Sequence, residues 1–419
     1  MEYGLIGENV TYSFSPEIHN QFNNNNYSLL SLDDNQFNEF ILSRDFKGIN
    51  VTMPYKEKVI PYLDYIDETA RKIGVVNTII NKDGKLLGYN TDAEGFLYLI
   101  KRNKINVQGK KVLILGNGAT SKTIKHVLIK LGAKNIYVVS RTKTKTAVDY
   151  LEASKLFETQ IIINTTPLGM YPNINQKPDI DLNNYPYLEA CIDVVYNPYK
   201  TKLLRDAKQK GVKTVSGLEM LVYQAALSRN LFDEVNYSEE EIRKVYINIL
   251  LKTTNIIFIG LPSCGKSTAS KNVAKALNIP RVDLDEEIEK HFNMSINEIF
   301  QKYGEEKFRE VENELFLKYI KQKGCVLSLG GGTLHHAENV DELLNNSIVF
   351  FLNRNINLLK KNKKAANTRP LLKQETIEDL YKERITLYKL HKDYEIINDG
   401  TPLNTFNKIM EKLIWRLWL

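Results

Sequence analysis

Cysteine is scarce in this chain of 419 residues, which holds only Cys191, Cys264 and Cys325. Their wide separation matches neither a metal-ligand spacing nor a disulfide framework, so we expect a reducing, cytoplasmic environment. The N-terminal segment shows no basic stretch followed by an apolar one, which argues against a secretory signal. No apolar run approaches the roughly 18 residues of a membrane-spanning helix, so we expect no membrane association.

Positively charged residues are only in small excess: 57 Lys and Arg against 50 Asp and Glu give a formal net charge of +7. An excess of this size does not predict nucleic acid binding, but it suits a protein that handles anionic small molecules. Hydrophobic residues make up 43% of the chain, enough for more than one core. At roughly 150 residues per domain, the length predicts about two or three domains.

Two glycine-rich turns divide the sequence. The first follows the apolar run Lys111–Leu115, and the second follows Asn255–Ile259. Each run is short, is bounded by glycine and leads into a helical pattern, which is typical of a buried strand in a parallel sheet. The sequence therefore predicts two α/β modules, each with its own phosphate-binding turn.

The boundary between the modules is marked by Ser238–Lys252, where serine and acidic residues precede apolar residues at helical spacing. That pattern predicts an N-capped helix ending the first module, with Thr253 and Thr254 as the linker. Other elements expected in the first module are strands at Tyr3–Ile6, Gly48–Val51 and Val75–Ile80 and helices at Asn90–Gln108 and near Leu218–Leu227. The final segment, Lys408–Leu419, is amphipathic and carries Trp415 and Trp418. It predicts a core-packing helix, with a membrane or partner face as the alternative.

The first glycine-rich turn has the chemistry of a dinucleotide site. Glycines at 116 and 118 permit a tight turn, and the following helix N-terminus attracts pyrophosphate. The next strand, Asn135–Val139, ends in a basic segment where an NAD site usually has an acid, and Arg141 there suits the 2′-phosphate of NADP. A turn without ligand and a surface basic cluster are the alternatives. The candidate contacts are Gly116, Asn117, Gly118, Ala119, Thr120, Ser140, Arg141, Thr142 and Lys145.

Several short polar segments lie before and after this turn in the sequence, and each alone is typical of a helix cap or a turn. Together they resemble the shikimate dehydrogenase family over about residues 2–250. The matching segments are Ser13-Phe-Ser15-Pro, Asn50-Val-Thr52-Met-Pro-Tyr-Lys56, Asn77, Asn90-Thr-Asp92, Asn164-Thr-Thr-Pro-Leu-Gly-Met170, Asp193-Val-Val-Tyr196 and Gly217-Leu-Glu-Met220-Leu-Val-Tyr-Gln224.

The resemblance implies reduction of 3-dehydroshikimate by NADPH, with Lys56 and Asp92 as the catalytic pair. It implies eight substrate-binding residues, namely Ser13, Ser15, Thr52, Lys56, Asn77, Asp92, Tyr196 and Gln224. It adds Val194, Gly217 and Met220 to the NADP contacts. Lys56 donates the proton that the reduced carbonyl needs, and Asp92 keeps Lys56 charged and oriented.

The second glycine-rich turn, Gly260-Leu-Pro-Ser-Cys-Gly265-Lys266-Ser267-Thr268, fits the phosphate-binding loop of nucleotide-triphosphate enzymes. Backbone N–H groups of such a loop wrap the phosphates, the lysine reaches the β/γ oxygens and the serine ligates Mg²⁺. The candidate ATP contacts in this turn are Ser263, Cys264, Gly265, Lys266, Ser267 and Thr268.

Residues 255–419 resemble the shikimate kinase family. The resemblance implies that Asp283 lies near Mg²⁺ beside Ser267, and that Asp285 holds the substrate hydroxyls and acts in catalysis with Lys266 and Arg369. It implies that Arg309, Gly331 and Arg384 bind the substrate, and that Arg369 covers the phosphates of ATP. Alternative interpretations are a simple surface pair of Arg309 with Glu312 and a plain turn at Gly330–Gly332.

We therefore expect an α/β enzyme that makes shikimate and then phosphorylates it at the 3-hydroxyl. The expected domains are a substrate lobe at 1–95 and 216–252, a Rossmann NADP lobe at 96–215 and a P-loop kinase domain at 253–419. A regulator that kept the folds without catalysis would show losses at Lys56, Asp92, Lys266 or Asp285, and all four are present. A quinate enzyme using NAD is disfavoured by Arg141 and by the paired serines Ser13 and Ser15. The sequence leaves the oligomeric state open.

Overall fold

The computed structural model describes residues 1–23, 26–338, 340–360 and 376–418, with backbone alone at 341 and 414–418. The chain divides into two compact units, Met1–Ile249 and Leu250–Leu419. Among the residues that the structure describes, no helix is long and apolar enough to cross a membrane.

The first unit contains two separate sheets. The strands of the first sheet are β1 (Tyr3–Gly7), β2 (Tyr27–Ser31), β3 (Gly48–Val51), β4 (Tyr65–Ile66), β5 (Thr78–Lys82) and β6 (Lys85–Tyr89). Their spatial order is β2-β1-β3-β5-β6-β4, and β5 runs antiparallel to both neighbours. The strands of the second sheet are β7 (Lys111–Leu115), β8 (Asn135–Val139), β9 (Ile161–Asn164), β10 (Ala190–Asp193) and β11 (Lys213–Ser216). This sheet is parallel throughout, in the order β11-β10-β9-β7-β8, so the carboxyl ends of its strands meet at one edge.

Helices cover both sheets of the first unit. They are α1 (Ser15–Phe22), α2 (Asp34–Ser43), α3 (Tyr55–Lys58), α4 (Glu68–Ile73), α5 (Asp92–Arg102), α6 (Ala119–Lys130), α7 (Tyr150–Ala153), α8 (Lys202–Gln209), α9 (Leu218–Asp233) and α10 (Glu239–Thr253), with 3₁₀ turns at Ile60–Tyr62 and Leu182–Asn184. The expected cap of α10 is confirmed, because Glu241 donates its backbone N–H to Oγ of Ser238 at 3.3 Å. The predicted strands that became β3, β7 and β8 are confirmed at both ends.

Two element predictions in this unit are wrong at their ends. The helix expected at Asn90–Gln108 is shorter, since α5 ends at Arg102 and Lys104 takes a left-handed φ of 49°. The strand expected at Val75–Ile80 begins only at Thr78. The chain leaves helix α4 at Gly74, which has a left-handed φ of 73°. Before β5 begins, the Val76 N–H donates to the carbonyl of Lys56. The segment between Gly74 and Thr78 therefore connects α4 to the sheet, and β5 begins only after it.

The second unit is a single parallel sheet. Its strands are β12 (Asn255–Ile259), β13 (Arg281–Asp283), β14 (Val326–Ser328), β15 (Ser347–Asn353) and β16 (Tyr394–Ile397), in the order β13-β14-β12-β15-β16. Its helices are α11 (Lys266–Leu277), α12 (Leu284–Phe292), α13 (Ile296–Ile320), α14 (Thr333–His336), α15 (Val340–Leu343), α16 (Ile356–Lys360), α17 (Ile377–His391) and α18 (Pro402–Trp418). The predicted strand β12 is confirmed at the centre of the sheet, where its carboxyl end leads into the phosphate-binding turn.

The last helix packs on the core of this unit, as the favoured interpretation of the amphipathic end requires. Ile409 and Leu413 on α18 are both fully buried. The side chains of Trp415 and Trp418 lie outside the described residues.

Two candidate active sites

A cavity of about 230 Å³ opens within the first unit, and polar side chains from distant parts of the sequence line it. The lining includes all eight substrate-binding candidates: Ser13, Ser15, Thr52, Lys56, Asn77, Asp92, Tyr196 and Gln224. It also includes four of the cofactor candidates: Thr120, Val194, Gly217 and Met220. The structure therefore brings the predicted substrate residues together with part of the predicted cofactor set.

An ion pair between Lys56 and Asp92 is the most reactive feature of this cavity. Nζ of Lys56 lies 2.6 Å from Oδ2 of Asp92, and the two side chains are only 12% and 9% exposed. Asp92 is the first residue of α5, where the helix dipole favours a carboxylate. The carboxylate therefore holds a proton-carrying ammonium in a fixed place beside the cavity.

Buried amides line the neighbouring wall. Nδ2 of Asn77 donates to Oγ1 of Thr91 at 2.9 Å and to Oε1 of Gln224 at 3.3 Å. The backbone N–H of Thr91 donates to Oδ1 of Asn77 at 2.7 Å, which fixes that amide in one orientation. Such a network presents donors and acceptors at set positions, as recognition of a polyhydroxylated ring requires.

Asn50 also lines the cavity, and the sequence analysis did not select it. Its Nδ2 donates to Oγ of Ser228 at 2.8 Å, and its Oδ1 accepts from the hydroxyl of Tyr27 at 2.7 Å. The available signal was spacing, because Asn50 lies two residues before Thr52 and therefore shares its face of the extended chain.

Hydroxyl groups line a further part of the cavity, at the start of α1. Oγ of Ser13 donates to Oγ of Ser15 at 3.0 Å, and Ser15 opens the helix. Tyr196 bonds to Ser13, and shielding from water raises the pKa of Tyr196, so its hydroxyl stays protonated as a donor. Hydroxyl donors beside a helix N-terminus suit a carboxylate.

The dinucleotide turn has the geometry that a pyrophosphate needs. Gly116 takes a left-handed φ of 108°, and a Cβ built on it would lie 2.6 Å from Oγ1 of Thr165. Gly118 caps α6 without a side chain, and a Cβ there would meet no atom within 4 Å. The turn therefore leaves the helix N-terminus open to a close anionic ligand. Asn117 and Ala119 belong to the same turn.

The basic segment follows the neighbouring strand. The Gly116 N–H donates to the carbonyl of Val139 at 2.8 Å, so the turn and the end of β8 lie side by side. Arg141, Thr142 and Lys145 are exposed beyond that strand end, after Ser140, and none of the four lines the cavity. This geometry fits a cofactor that extends from the cavity past the turn to the basic segment.

Gly217 meets the end of β10 at very close range. A Cβ built on Gly217 would overlap the carbonyl of Val194, so only glycine fits there. The close approach fixes one wall of the cavity beside Met220.

Left-handed glycines shape the phosphate-binding turn of the second unit. Gly260 and Gly265 have φ values of 145° and 101°. Nζ of Lys266 donates to the carbonyls of Gly260 and Leu261 at 2.9 and 3.0 Å, and the side chain is 6% exposed. The turn opens α11, where Ser267 and Thr268 are exposed, so the residues fit a bound triphosphate.

Asn398 supports this turn from the end of β16, and the sequence analysis missed it. Its Nδ2 donates to the carbonyl of Cys264 at 2.5 Å, and its Oδ1 accepts from Thr405. A Cβ built on Gly265 would lie 2.6 Å from the same Nδ2 atom. An asparagine next to Asp399 gives no pattern that distinguishes this contact from an ordinary turn.

Four charged side chains, those of Asp285, Glu312, Arg309 and Arg384, gather around Gly330, Gly331 and Gly332. Cβ atoms built on these glycines would lie 3.2 Å from Oδ1 of Asp285, 3.4 Å from Nη1 of Arg384 and 2.9 Å from Nη1 of Arg309, respectively. The glycines therefore let an acid and two guanidinium groups approach one strand end, as a hydroxylated carboxylate substrate requires.

Arg309 also forms the pair that the alternative interpretation expected. Its Nη1 lies 2.6 Å from Oε2 of Glu312, and its Nη2 lies 3.1 Å from Oε1 of Glu305. Glu312 is 2% exposed and accepts from Oγ1 of Thr333 at 2.6 Å. The pair is therefore not a simple surface pair, because it lies buried against the glycine-rich strand end.

The candidate metal residues are Ser267, in the phosphate-binding turn, and Asp283, at the end of β13. Asp283 is 3% exposed, and its Oδ2 accepts from Nη2 of Arg281 at 2.7 Å. Within the described part of the chain, no group of three or more His, Cys, Asp and Glu side chains could hold a metal ion. An aspartate carboxylate and a serine hydroxyl suit Mg²⁺, which is commonly held by one or two protein groups together with substrate phosphates. The predicted contact Arg369 lies outside the described residues.

Comparisons with known proteins match both units of the chain. The family model for the shikimate dehydrogenase substrate binding domain matches residues 5–79, and the model for shikimate kinase matches residues 262–414. The shikimate dehydrogenase (NADP(+)) of Clostridium perfringens is 40% identical over 262 residues, covering 58% of this chain and 96% of that protein. The corresponding enzyme of Carboxydothermus hydrogenoformans is 38% identical over 249 residues, covering 54% of this chain and 89% of that protein.

Solved structures resemble the same part of the chain. Shikimate dehydrogenase 1 from Peptoclostridium difficile has a TM-score of 0.56 and 34% identity, covering 59% of this chain and 98% of that one. A shikimate 5-dehydrogenase from Thermus thermophilus, solved with NADP(H) and shikimate, has a TM-score of 0.53 and 28% identity, covering 59% of this chain and 99% of that one.

Proposed function

The chain belongs to the shikimate dehydrogenase family and carries a shikimate kinase domain after it, and from this premise we propose which residues perform the two reactions. The protein is a bifunctional enzyme that reduces 3-dehydroshikimate with NADPH and phosphorylates shikimate with ATP and Mg²⁺. The observation that carries the first assignment is the Lys56–Asp92 pair beside one cavity. The observation that carries the second is the convergence of Asp285, Arg309 and Arg384 on the three glycines.

In the first reaction, bound NADPH supplies a hydride to the 3-keto carbon. Lys56 donates a proton to the carbonyl oxygen as that oxygen gains charge, and it accepts the proton in the reverse direction. Asp92 keeps the ammonium within reach of the oxygen, as the 2.6 Å contact supports. The low exposure of both groups excludes most of the competing water.

Substrate orientation in this site comes from two walls. The hydroxyls of Ser13, Ser15 and Tyr196 bind the carboxylate. Thr52, Asn77 and Gln224 bind the ring hydroxyls, and the buried network behind the two amides fixes their direction. We assign these contacts to a substrate lobe at 1–95 and 216–252.

The NADP contacts belong to a Rossmann lobe at 96–215, together with Gly217 and Met220. The N-terminus of α6, which the glycine turn leaves open, would hold the pyrophosphate. Arg141 binds the 2′-phosphate, aided by Ser140, Thr142 and Lys145.

In the second reaction, ATP supplies the phosphoryl group to the 3-hydroxyl of shikimate. Asp285 orients that hydroxyl and accepts its proton, while Arg309 and Arg384 hold the carboxylate. Lys266 and the backbone of Ser263–Thr268 bind the phosphates. Ser267 and Asp283 would hold Mg²⁺ within a kinase domain at 253–419, and Arg369 is the further ATP-binding residue that the family resemblance implies.

The two reactions share a small anionic substrate, which suits the modest positive charge of the chain. We propose no nucleic acid or membrane partner. The three cysteines are buried free thiols, which supports a reducing, cytoplasmic location.

Separate assays of the purified enzyme test the proposal. NADPH oxidation should depend on 3-dehydroshikimate, and ADP release should depend on shikimate and Mg²⁺. Oxidation of NADPH without ADP release would contradict the kinase assignment, and ADP release without NADPH oxidation would contradict the dehydrogenase assignment.

A further inference from the structure

Tyr388 contacts the glycine-rich strand end of the kinase unit through its hydroxyl group. It lies on α17 and is 2% exposed, and its hydroxyl donates to the carbonyl oxygen of Gly331. Its ring packs against Phe351 with a centroid distance of 5.2 Å. Burial raises the pKa of Tyr388, so the hydroxyl remains a donor.

Gly331 lies between the phosphate-binding turn and helix α17. A Cβ built on it would lie 3.1 Å from Cδ of Pro262, in the phosphate-binding turn, and 3.4 Å from Nη1 of Arg384. Arg384 and Tyr388 are four residues apart on α17, so they share one face of that helix. This face therefore presents both a guanidinium and a hydroxyl to the same glycine.

The hydroxyl also determines which way the next N–H points. The peptide bond from Gly331 to Gly332 is trans, so the Gly332 N–H points opposite to the Gly331 carbonyl. Tyr388 holds the carbonyl, and the N–H is therefore directed away from Tyr388. A Cβ built on Gly332 would lie 2.9 Å from Nη1 of Arg309, so this peptide also adjoins the second guanidinium.

We propose that Tyr388 is a positioning residue for the anionic acceptor of the kinase reaction. Its hydroxyl fixes the peptide between Gly331 and Gly332, so that this backbone and Arg384 keep the geometry that binds the acceptor. The inference rests on the proposed kinase function, and it adds a residue that does not touch the substrate.

Tyr388→Phe tests the inference, because it removes the hydroxyl and keeps the buried ring. A neutral hydrogen bond contributes roughly 0.5–1.5 kcal/mol, so KM for shikimate should rise about three- to tenfold. KM for ATP and kcat should stay within about twofold. A role in stability alone would change the melting temperature and leave the KM for shikimate unchanged.

Two variants provide controls in the full-length enzyme. Tyr319→Phe removes another tyrosine hydroxyl of the same unit, one that donates to Glu287, and its KM for shikimate should stay unchanged. Phe351→Leu loosens the packing around the Tyr388 ring while keeping the hydroxyl. It should lower stability more than it raises KM, and it keeps the proposal testable if Tyr388→Phe folds poorly.

Each outcome is decisive. No shikimate-dependent ADP release from the unmodified enzyme would remove the proposed function itself. An active enzyme whose Tyr388→Phe variant keeps its KM for shikimate would overturn the positioning role alone. Equal rises in KM from Tyr388→Phe and Phe351→Leu would also overturn it, since packing would then explain the effect.

Discussion

Nζ of Lys56 lies 2.6 Å from Oδ2 of Asp92, although 35 residues separate them in the sequence. Lys56 belongs to the short helix α3, and Asp92 begins α5. The turn after β3 and the turn after β6 both end beside the cavity, so these two turns create the pair. We propose that the dehydrogenase chemistry depends on this contact.

Replacing Lys56 by alanine should remove the proton donor. General acid catalysis contributes roughly 10²–10⁴-fold, so kcat for 3-dehydroshikimate reduction should fall within that range. Binding of NADPH, measured by fluorescence titration, should change little. A fall of less than about tenfold would place the proton donor elsewhere, for example at a water molecule or at Asp92.

Arg141→Asp should raise the KM for NADPH by about one to two decades, equivalent to about 1.4–2.8 kcal/mol. The reason is the loss of a bidentate guanidinium contact to the 2′-phosphate, combined with repulsion by the new carboxylate. Lys143→Asp is the matched control, because it makes the same charge change two residues away, where the lysine pairs with Glu152. Equal rates with NADH and NADPH in the unmodified enzyme would contradict the assignment.

Much of this fold could be predicted because short apolar runs before glycines identify buried strands. Strands β7 and β12 follow that pattern, and so does the order of strand, turn and helix at both phosphate sites. The beginning of β5 could not be predicted, because Val75 and Val76 have the same apolar character as the strand that follows them. Their backbone partners come from tertiary contacts that periodicity does not encode.

The site residues also divide into those that the sequence predicts and those that only the folded structure identifies. Residues that we propose to bind a ligand directly stand in recognisable motifs, as Lys56 and Lys266 do. Residues that support those motifs, such as Asn398 and Tyr388, act through contacts with backbone carbonyls more than 50 residues away in sequence. A single side chain at that separation leaves no spacing pattern, so only the folded structure identifies it.

Asp193 should make the stability of the protein depend on pH. Burial raises its pKa from 3.8 to about 7, although Thr201, Val195 and Asn164 donate hydrogen bonds to the carboxyl group. The folded state therefore keeps a proton that the unfolded state loses, and this contribution is complete below about pH 4 and is lost as pH rises through about 7. The contribution is on the order of 2–4 kcal/mol at most.

Asp193→Asn should flatten this dependence. Urea unfolding of the two proteins at pH 5 and pH 8 measures the difference, because all other titrating groups are shared. The free energy of unfolding of the unmodified protein should fall more between these conditions than that of the variant. Parallel changes in both proteins would show that the Asp193 carboxyl is already ionised at the lower pH.

Ser263→Gly should stabilise the kinase unit. Ser263 has a left-handed φ of 63°, a conformation that is unfavourable by about 1–2 kcal/mol for a residue with a Cβ. Glycine relieves this strain but gains freedom in the unfolded chain, so the net gain should be about 0.5–1 kcal/mol. Thermal unfolding of the kinase unit measures it, and a lower melting temperature would contradict the explanation.

Asp285→Asn should separate the two activities. The variant keeps the size of the side chain but removes the acceptor for the 3-hydroxyl proton, so phosphorylation should fall by roughly 10²–10⁴-fold. The dehydrogenase rate should remain within about twofold, because distant sites without shared partners act independently. A matching fall in the dehydrogenase rate would show that the two units depend on each other.

Conversion of 3-dehydroshikimate in one vessel tests the central claim most directly. The purified protein receives 3-dehydroshikimate, NADPH, ATP and Mg²⁺, and the products are separated and identified by mass. The account predicts shikimate 3-phosphate, with one NADPH oxidised and one ATP consumed for each molecule formed, and accumulation of shikimate in the Asp285→Asn variant. Shikimate as the final product of the unmodified enzyme, or unreacted 3-dehydroshikimate, would contradict it.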